Sequence, residues 1–417
     1  MTGDRRAVWS WALYDWANSA FATTVIAGFF PIFFKQYWSA QHEATTSTFH
    51  LGMGSALASA VVVLLAPTLG AVADRGGLRK PFLLAFTLIG VAATAGLFFV
   101  GQGQWLAALA LFVLASIGFF GGLTFYDSLL VDVAEPARSD RVSALGYALG
   151  YLGGGILLAV NVAMTLSPES FGLADKGEAV RWSFLSVAVW WALFAWPLFR
   201  YVRENRPARP PAPWAAARAG VRELWQTFHR IRAHRAAWLF LLAYWVYIDG
   251  VHTIIRMAVD FGLSLGFEST ALITALLLVQ FIGFPAAVAF GYLGERWGTR
   301  KAIYLGLAVY AGVTAWGYVM TTELQFYLMA AVIGLVQGGV QSLSRSYFAR
   351  LIPEGKSGEF FGFYNMMGKF AAVIGPLLVG ATAAVTGDPR AAIGSILVLF
   401  GIGAWLLTRV PAETRTA

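Results

Sequence analysis

The sequence predicts an all-α polytopic membrane protein with about twelve spanning helices arranged as two related halves. Three observations predict it: too few charged residues to clothe a water-exposed surface, a series of apolar runs of spanning length, and motifs that recur at nearly constant offset. Charged residues are 12% of the 417-residue chain and hydrophobic ones 58%, with a mean hydropathy of +0.65. A soluble domain carries roughly 25% charged residues, so lipid must be the solvent for much of this surface. A helix needs about 20 apolar residues to cross the hydrocarbon core. The expected spans are 8–35, 50–73, 81–101, 105–133, 140–165, 180–200, 236–262, 269–293, 301–320, 324–349, 359–385 and 390–409. The first run follows Arg5 and Arg6, is too long for a cleavable signal and contains Asp15 and Asn18, so it is expected to remain as a spanning helix. The chain has no cysteine, which excludes disulfides and thiolate metal sites.

Basic residues fix the expected topology. With the N-terminus in the cytosol, all but six of the 30 Lys and Arg fall on the cytosolic side, among them Arg345 and Arg350 at the inner end of the tenth span. Lys35, Lys176, Arg181 and Arg390 lie at the outer face, and Arg256 and Lys369 within helices. This is the positive-inside distribution, and it accounts for the net charge of +8 without a nucleic-acid partner. Both termini are therefore expected in the cytoplasm.

The halves are expected at 1–200 and 236–417, joined by a cytosolic linker at 201–235. The linker opens with Pro207, Pro210, Pro211 and Pro213. Val221, Leu224, Trp225, Phe228 and Ile231 then fall at helical spacing between Arg218, Arg222, Arg230 and Arg232, as in a helix lying in the inner leaflet's interface. The repeat runs through the loops. Gly70-Ala-Val-Ala-Asp74-Arg75-Gly-Gly-Leu-Arg79-Lys80 recurs at offset 221 as Gly291-Tyr-Leu-Gly-Glu295-Arg296-Trp-Gly-Thr-Arg300-Lys301. Gly121-Gly122 to Pro136 matches Gly338-Gly339 to Pro353 at offset 217, and Asp15-x-x-Asn18-Ser19 echoes Asp249-x-x-His252-Thr253 at offset 234. Parallel six-helix repeats place a substrate path along the seam between halves.

The stretch Gly70–Lys80 resembles the signature loop of the major facilitator superfamily, and its second copy carries Glu295 in place of Asp. Three further stretches resemble the vacuole-effluxer-like branch of that superfamily: Tyr14-Asp15-Trp16-Ala17-Asn18-Ser19, Ile248-Asp249-Gly250-Val251-His252-Thr253, and Gln341-Ser-Leu-Ser-Arg345-Ser346 followed by Gly358-Glu359-Phe360-Phe361-Gly362. The compact loops and short tails resemble the bacterial members. The resemblance implies a major-facilitator-type fold of twelve spanning helices in two pseudo-symmetric six-helix bundles. It also implies a secondary transporter in the bacterial inner membrane. Fungal relatives are described as exporting amino acids from the vacuole. In the superfamily the signature loop is thought to lock the two halves in the outward-open state, which by position assigns gating to Gly70, Asp74, Arg75, Arg79 and Lys80, with Glu295, Arg300 and Lys301 as the second copy.

Ionisable groups inside spans cost on the order of 3 kcal/mol each by insertion scales, so each needs a reason. On the seventh span Asp249, His252, Thr253, Arg256 and Asp260 fall at steps of three and four, along one stripe. Asp249 near the midplane is the expected proton carrier, with a structural ion pair to Arg256 or to a partner on another helix as the alternative; His252 relays or tunes the proton, or packs through a hydrogen bond. Asp15, its counterpart in the first half, shares its helix end with Tyr14 and Asn18 and either binds a cationic group or closes a gate with Arg345. Asp127 and Arg345 fall at similar depth in opposite halves and are expected to pair across the seam, with contact between Arg345 and lipid phosphates at the inner headgroups as the alternative. Asp74 is expected at the positive N-terminus of a neighbouring helix. Asp132 is expected to be solvated. Lys369, near Tyr364 and Asn365, would contact a substrate carboxylate or neutralise an aspartate. Gln280, Gln337 and Gln341 line a pore or join helices, and Gly146, Gly150 and Gly154 form a close-packing groove.

No Ser-His-Asp order, HExxH or phosphate-cradling GxxxxGK[ST] loop occurs, which excludes the commonest hydrolases and ATP-driven pumping and leaves an ion gradient as the energy source. No cofactor or metal is expected. The expected partners are a small polar or zwitterionic solute, amino acids among them, together with protons and the lipid bilayer, and the expected state is a monomer. Translocation of lipid, other amphiphiles or hydrophobic drugs on the same fold is the alternative.

Overall fold

The computed structural model describes residues 4–205, 229, 231–264, 269–371, 374–387 and 389–411, and is all-helical over them. The linker segment 206–228 and residue 230, where the interfacial helix is expected, lie outside the described residues, as do the side chains of Arg256 and Asp260.

The first half comprises α1 (Arg5–Trp38), α2 (Ala44–Gly76), α3 (Arg79–Gly96), α4 (Trp105–Ser128, with a further turn at Leu130–Val133), α5 (Ser139–Leu166) and α6 (Lys176–Tyr201). The second half has α7 (Arg235–Ser264), α8 (Ser269–Trp297), α9 (Thr299–Gly317) and α10 (Glu323–Leu351). The eleventh span is split into α11 (Ser357–Phe370) and α12 (Ile374–Thr386), and the twelfth into α13 (Pro389–Gly394) and α14 (Leu397–Arg409). Nine described segments are long and apolar enough to cross a membrane. The others are α9, which opens on Arg300 and Lys301, and the two split spans.

Local chemistry sets the helix ends. The Asp4 carboxylate accepts from the Arg6 amide to begin α1. Gly77, at φ 60°, ends α2 in the left-handed conformation that glycine adopts without steric cost. Thr322 and Gln325 cap α10 reciprocally. α1 is π-helical over Phe21–Phe29 and Phe34–Trp38, where the Thr23 hydroxyl donates to the Ser19 carbonyl (3.1 Å) and also reaches that of Gly154 on α5 (3.3 Å).

Buried apolar side chains form two clusters, one drawn from each half. The halves meet along two seams, α5 against α8 and α10, and α11 against α2 and α4. The sequence repeat exchanges α2 with α8 and α5 with α11, so the seams are counterparts. Both depend on glycine. A Cβ at Gly70 would overlap the Gly358 carbonyl, and one at Gly291 would lie 2.6 Å from that of Ala144. Both described chain ends and the loops after α2, α4, α6, α8 and α10 gather on one face, the terminal face. There the Arg6 guanidinium lies over the Tyr201 ring at 5.2 Å. Arg300 donates to the Val410 carbonyl at 2.9 Å.

Within the first half α3 and α4 cross where a Cβ at Gly118 would come within 2.5 Å of the Gly90 amide nitrogen. Gly118→Val should therefore destabilise the protein by about 1–3 kcal/mol, read as a lowered unfolding midpoint in detergent. An unchanged midpoint would mean that this crossing does not set the helix spacing.

Candidate central cavity and inter-half seams

The two halves enclose a cavity of about 400 Å³. Its floor, toward the terminal face, is a buried ion cluster. Arg345 on α10, 1% exposed, extends into the first half. Its Nη1 lies 3.0 Å from Asp127 Oδ1 and 3.4 Å from Asp15 Oδ2. Its Nε donates to Ser143 Oγ and its Nη2 to the Ser143 carbonyl, both at 2.9 Å. The Tyr126 hydroxyl donates to Asp15 Oδ2 at 2.8 Å, and Asn365 Nδ2 to Asp127 Oδ2 at 3.0 Å. The rings of Trp11, Tyr126 and Tyr147 face the guanidinium at 4.8, 5.5 and 4.5 Å. One guanidinium thus serves two carboxylates, and removing it would leave both buried without a cation, at a cost of about 3–5 kcal/mol.

Above the floor the wall carries Asn18, Gln280, Gln341, Tyr364, Asn365 and Lys369 from the predicted set, together with His252. Among the described residues the buried Asn18 Nδ2 has no hydrogen-bond partner, a donor turned toward the cavity contents. The Lys369 ammonium lies over the Phe120 ring. Tyr14 is set back from the cavity, bonded to Thr87 Oγ1 at 2.7 Å and stacked on Tyr126. The groove of Gly146 and Gly150 packs against α1: a Cβ there would meet Asp15 and Ser19 at 2.6 Å.

The seventh span divides its predicted stripe. His252 faces the cavity, whereas Asp249 and Thr253, one turn apart, face α12. Asp249 is fully buried and both its oxygens accept from the Gly375 amide, at 3.1 and 3.0 Å. The sequence predicts an unbroken eleventh span; the structure breaks it after Phe370, and Asp249 takes up an amide at the start of the second piece. In this arrangement the carboxylate serves the helix N-terminus.

The terminal-face loops brace both seams. Asp74 accepts from the amides of Gly358 and Glu359, at 2.8 Å each, at the N-terminus of α11. Arg79 bonds Ser357 Oγ of the other half (2.6 Å) and pairs with Asp132 (2.9 Å) and Glu204 (3.2 Å). Asp132 corrects the expectation of a solvated group: its side chain is 3% exposed, because the residues after α6 fold over the end of α4 and bring Glu204 onto the same arginine. Lys80 Nζ donates to the Phe199 and Val202 carbonyls. In the second copy Arg300 reaches the Leu407 and Val410 carbonyls at the end of α14. Glu295 pairs with Arg141 (2.5 Å), where Asp74 takes backbone amides instead. Among the described residues, Lys301 is exposed and joins none of the inter-half bonds.

Sequence reasoning passed over Asp140. Its carboxylate, 4% exposed at the start of α5, accepts from Thr299 Oγ1 (2.7 Å), Arg350 Nη1 (2.8 Å) and Ser346 Oγ, all from the other half. Its position just after Pro136, opposite the second signature loop, was the available signal. Trp11, Tyr126 and Tyr147 were hidden among the 15% aromatic residues.

Comparison with known proteins agrees with this architecture. A family model described as "Vacuole effluxer Atg22 like" matches residues 3–416. The chain is 40% identical over 412 residues to the MFS-type transporter YxiO of Bacillus subtilis, covering 98% of this chain and 95% of that one. It is 29% identical over 295 residues to autophagy-related protein 22 of Yarrowia lipolytica, covering 63% of this chain and 48% of the relative. Among solved structures it superposes on the human organic anion transporter MFSD10 with a TM-score of 0.73 at 18% identity, covering 97% and 99% of the two chains. The chain therefore belongs to the Atg22-like vacuole effluxer family, and is a multi-pass transporter of the major facilitator fold rather than an enzyme.

Proposed function

We propose that the protein is a proton-linked secondary transporter that moves a small polar or zwitterionic solute, amino acids among the candidates, by alternating access. It works as a monomer in the bacterial inner membrane with both termini in the cytoplasm, the orientation that the concentration of Lys and Arg on the terminal face favours. The observation that carries the reading is Arg345 of one half inserted between Asp15 and Asp127 of the other, at the floor of the cavity between them.

Among the described residues of the floor, two carboxylates stand against one guanidinium, one negative charge in excess. A proton or a cationic group neutralises that excess, so Asp15 and Asp127 form the leading coupling pair. Asp249, enclosed against Gly375, acts as an anchor of the broken eleventh span, with His252 facing the cavity in its place. Asn18, Gln280, Gln341, Tyr364 and Asn365 contact the solute, and Lys369 meets its carboxylate. The contacts of Asp74, Arg79, Asp140 and Arg345 hold the cytoplasmic side shut and break together as the halves rock. A second reading, an amphiphile with a charged head, is favoured by the apolar upper wall of Phe119, Phe326, Met329, Ile254 and Ile333.

Two measurements test this reading. A thermal-shift screen of the purified protein against amino acids, peptides, sugars and nucleosides selects the solute, and proteoliposomes with an imposed pH gradient then accumulate it. Asp127→Asn should abolish gradient-driven accumulation while retaining counterflow, and Asp249→Asn should lower the unfolding midpoint with coupling kept; full accumulation in both Asp127→Asn and Asp15→Asn would end the coupling assignment. The second measurement uses the absence of cysteine. Cysteine placed at Ala144, 1% exposed in the α5–α8 seam, should resist a membrane-impermeant maleimide and label several-fold faster when Gly70→Val wedges the other seam apart. Equal labelling rates would show that the two seams do not open together.

A further inference from the structure

We propose that the pocket filled by Arg345 is the receptor for the cationic head of the transported solute, a guanidinium or primary ammonium, and that Arg345 is its tethered occupant. The inference rests on the alternating-access reading and adds the substrate class.

Nearly every group that recognises the guanidinium belongs to the first half. Asp15 and Asp127 supply the charge and Ser143 two acceptors. Trp11, Tyr126 and Tyr147 supply ring faces between 4.5 and 5.5 Å from its carbon. Carboxylates paired with aromatic faces make a receptor for a flat or compact organic cation. The second half contributes the ligand itself, Asn365, which bonds Asp127, and the Ser342 carbonyl, which accepts from Ser143 Oγ at 2.7 Å.

The receptor is held together without its occupant. Trp11 Nε1 donates to the Tyr126 carbonyl at 3.0 Å, the two rings stack at 4.6 Å, and the Tyr126 hydroxyl holds Asp15. These contacts lie within one half and survive a rigid-body separation of the two. Arg345, carried on α10, leaves with the other half. Two carboxylates cannot remain charged and uncompensated in such a site, so protons or a solute cation must take the place that Arg345 vacates. The pocket is continuous with the central cavity, whose wall includes Asp15, Asp127, Tyr147 and Arg345. A solute cation entering from the cavity therefore competes with the residue that closes the floor. Binding and release of the closed seam become one exchange reaction, and a neutral solute of the same size has nothing to exchange.

The test compares methylguanidine and agmatine with N-methylurea, a neutral mimic of the same shape, by thermal shift on the purified full-length protein. Arg345→Ala should be stabilised by agmatine at a half-effective concentration at least about ten-fold below that of the wild type, and should ignore N-methylurea. The response should vanish when Asp15→Asn and Asp127→Asn are added. A response to N-methylurea equal to that of methylguanidine, or one that persists in the triple variant, overturns the receptor. Counterflow of labelled arginine in wild-type proteoliposomes supplies a readout free of folding defects, and should be inhibited by agmatine and not by N-methylurea. If a pH gradient drives accumulation of a sugar or nucleoside while agmatine neither binds nor competes, the receptor assignment fails and the transport reading stands.

Discussion

A charge inside the hydrocarbon slab must have a partner, and in this protein the partner lies in the other half. Arg345 satisfies Asp15 and Asp127 only while α10 is pressed against α1, α4 and α5. Because the low-dielectric interior makes an unpaired ion far more costly than a paired one is favourable, the cluster acts less as glue than as a condition: the halves cannot part until something replaces the pairing. In the proposed cycle a proton or a solute cation supplies that replacement. On that proposal the cluster itself ties the cavity contents to the arrangement of the halves, because Asp15, Asp127 and Arg345 line the cavity.

The two seams show how a duplicated architecture solves one problem twice. In each, a glycine lets backbones approach closely, Gly70 at Gly358 and Gly291 at Ala144. Each also has a basic residue of the signature loop tied to backbone carbonyls at the end of its half's last span, Lys80 at Phe199 and Val202, Arg300 at Leu407 and Val410. The acidic position has diverged. Asp74, short and beside the N-terminus of α11, takes two amides, whereas Glu295 reaches Arg141, whose side chain is half exposed. The buried carboxylate work of the second seam falls instead to Asp140. The seam with Asp74 sets a carboxylate on backbone amides beside the bond from Arg79 to Ser357, whereas the other rests on the buried Asp140 with its arginine and hydroxyl partners.

Much of the site was legible because hydrocarbon makes polar residues conspicuous. Asp15, Asn18, Asp127, Arg345 and Lys369 stand out in apolar runs, and the repeat offset set Asp127 and Arg345 at matching depth. Sequence spacing failed where direction mattered. Asp249 and His252 are three residues apart, but that spacing turns them to opposite sides of one stripe, so only His252 meets the cavity. Asp132 read as a solvated helix end because nothing local signals that a distant segment will fold over it.

The sequence by itself determined the solvent, the number of spans and the duplication, because these follow from composition, from the length needed to cross a bilayer and from motifs repeated in register. Only the tertiary structure decided which buried charges meet, where the eleventh span breaks and which aromatic rings enclose Arg345. Those outcomes depend on the rotation of each helix about its axis and on contacts between residues hundreds of positions apart, and no local pattern encodes either.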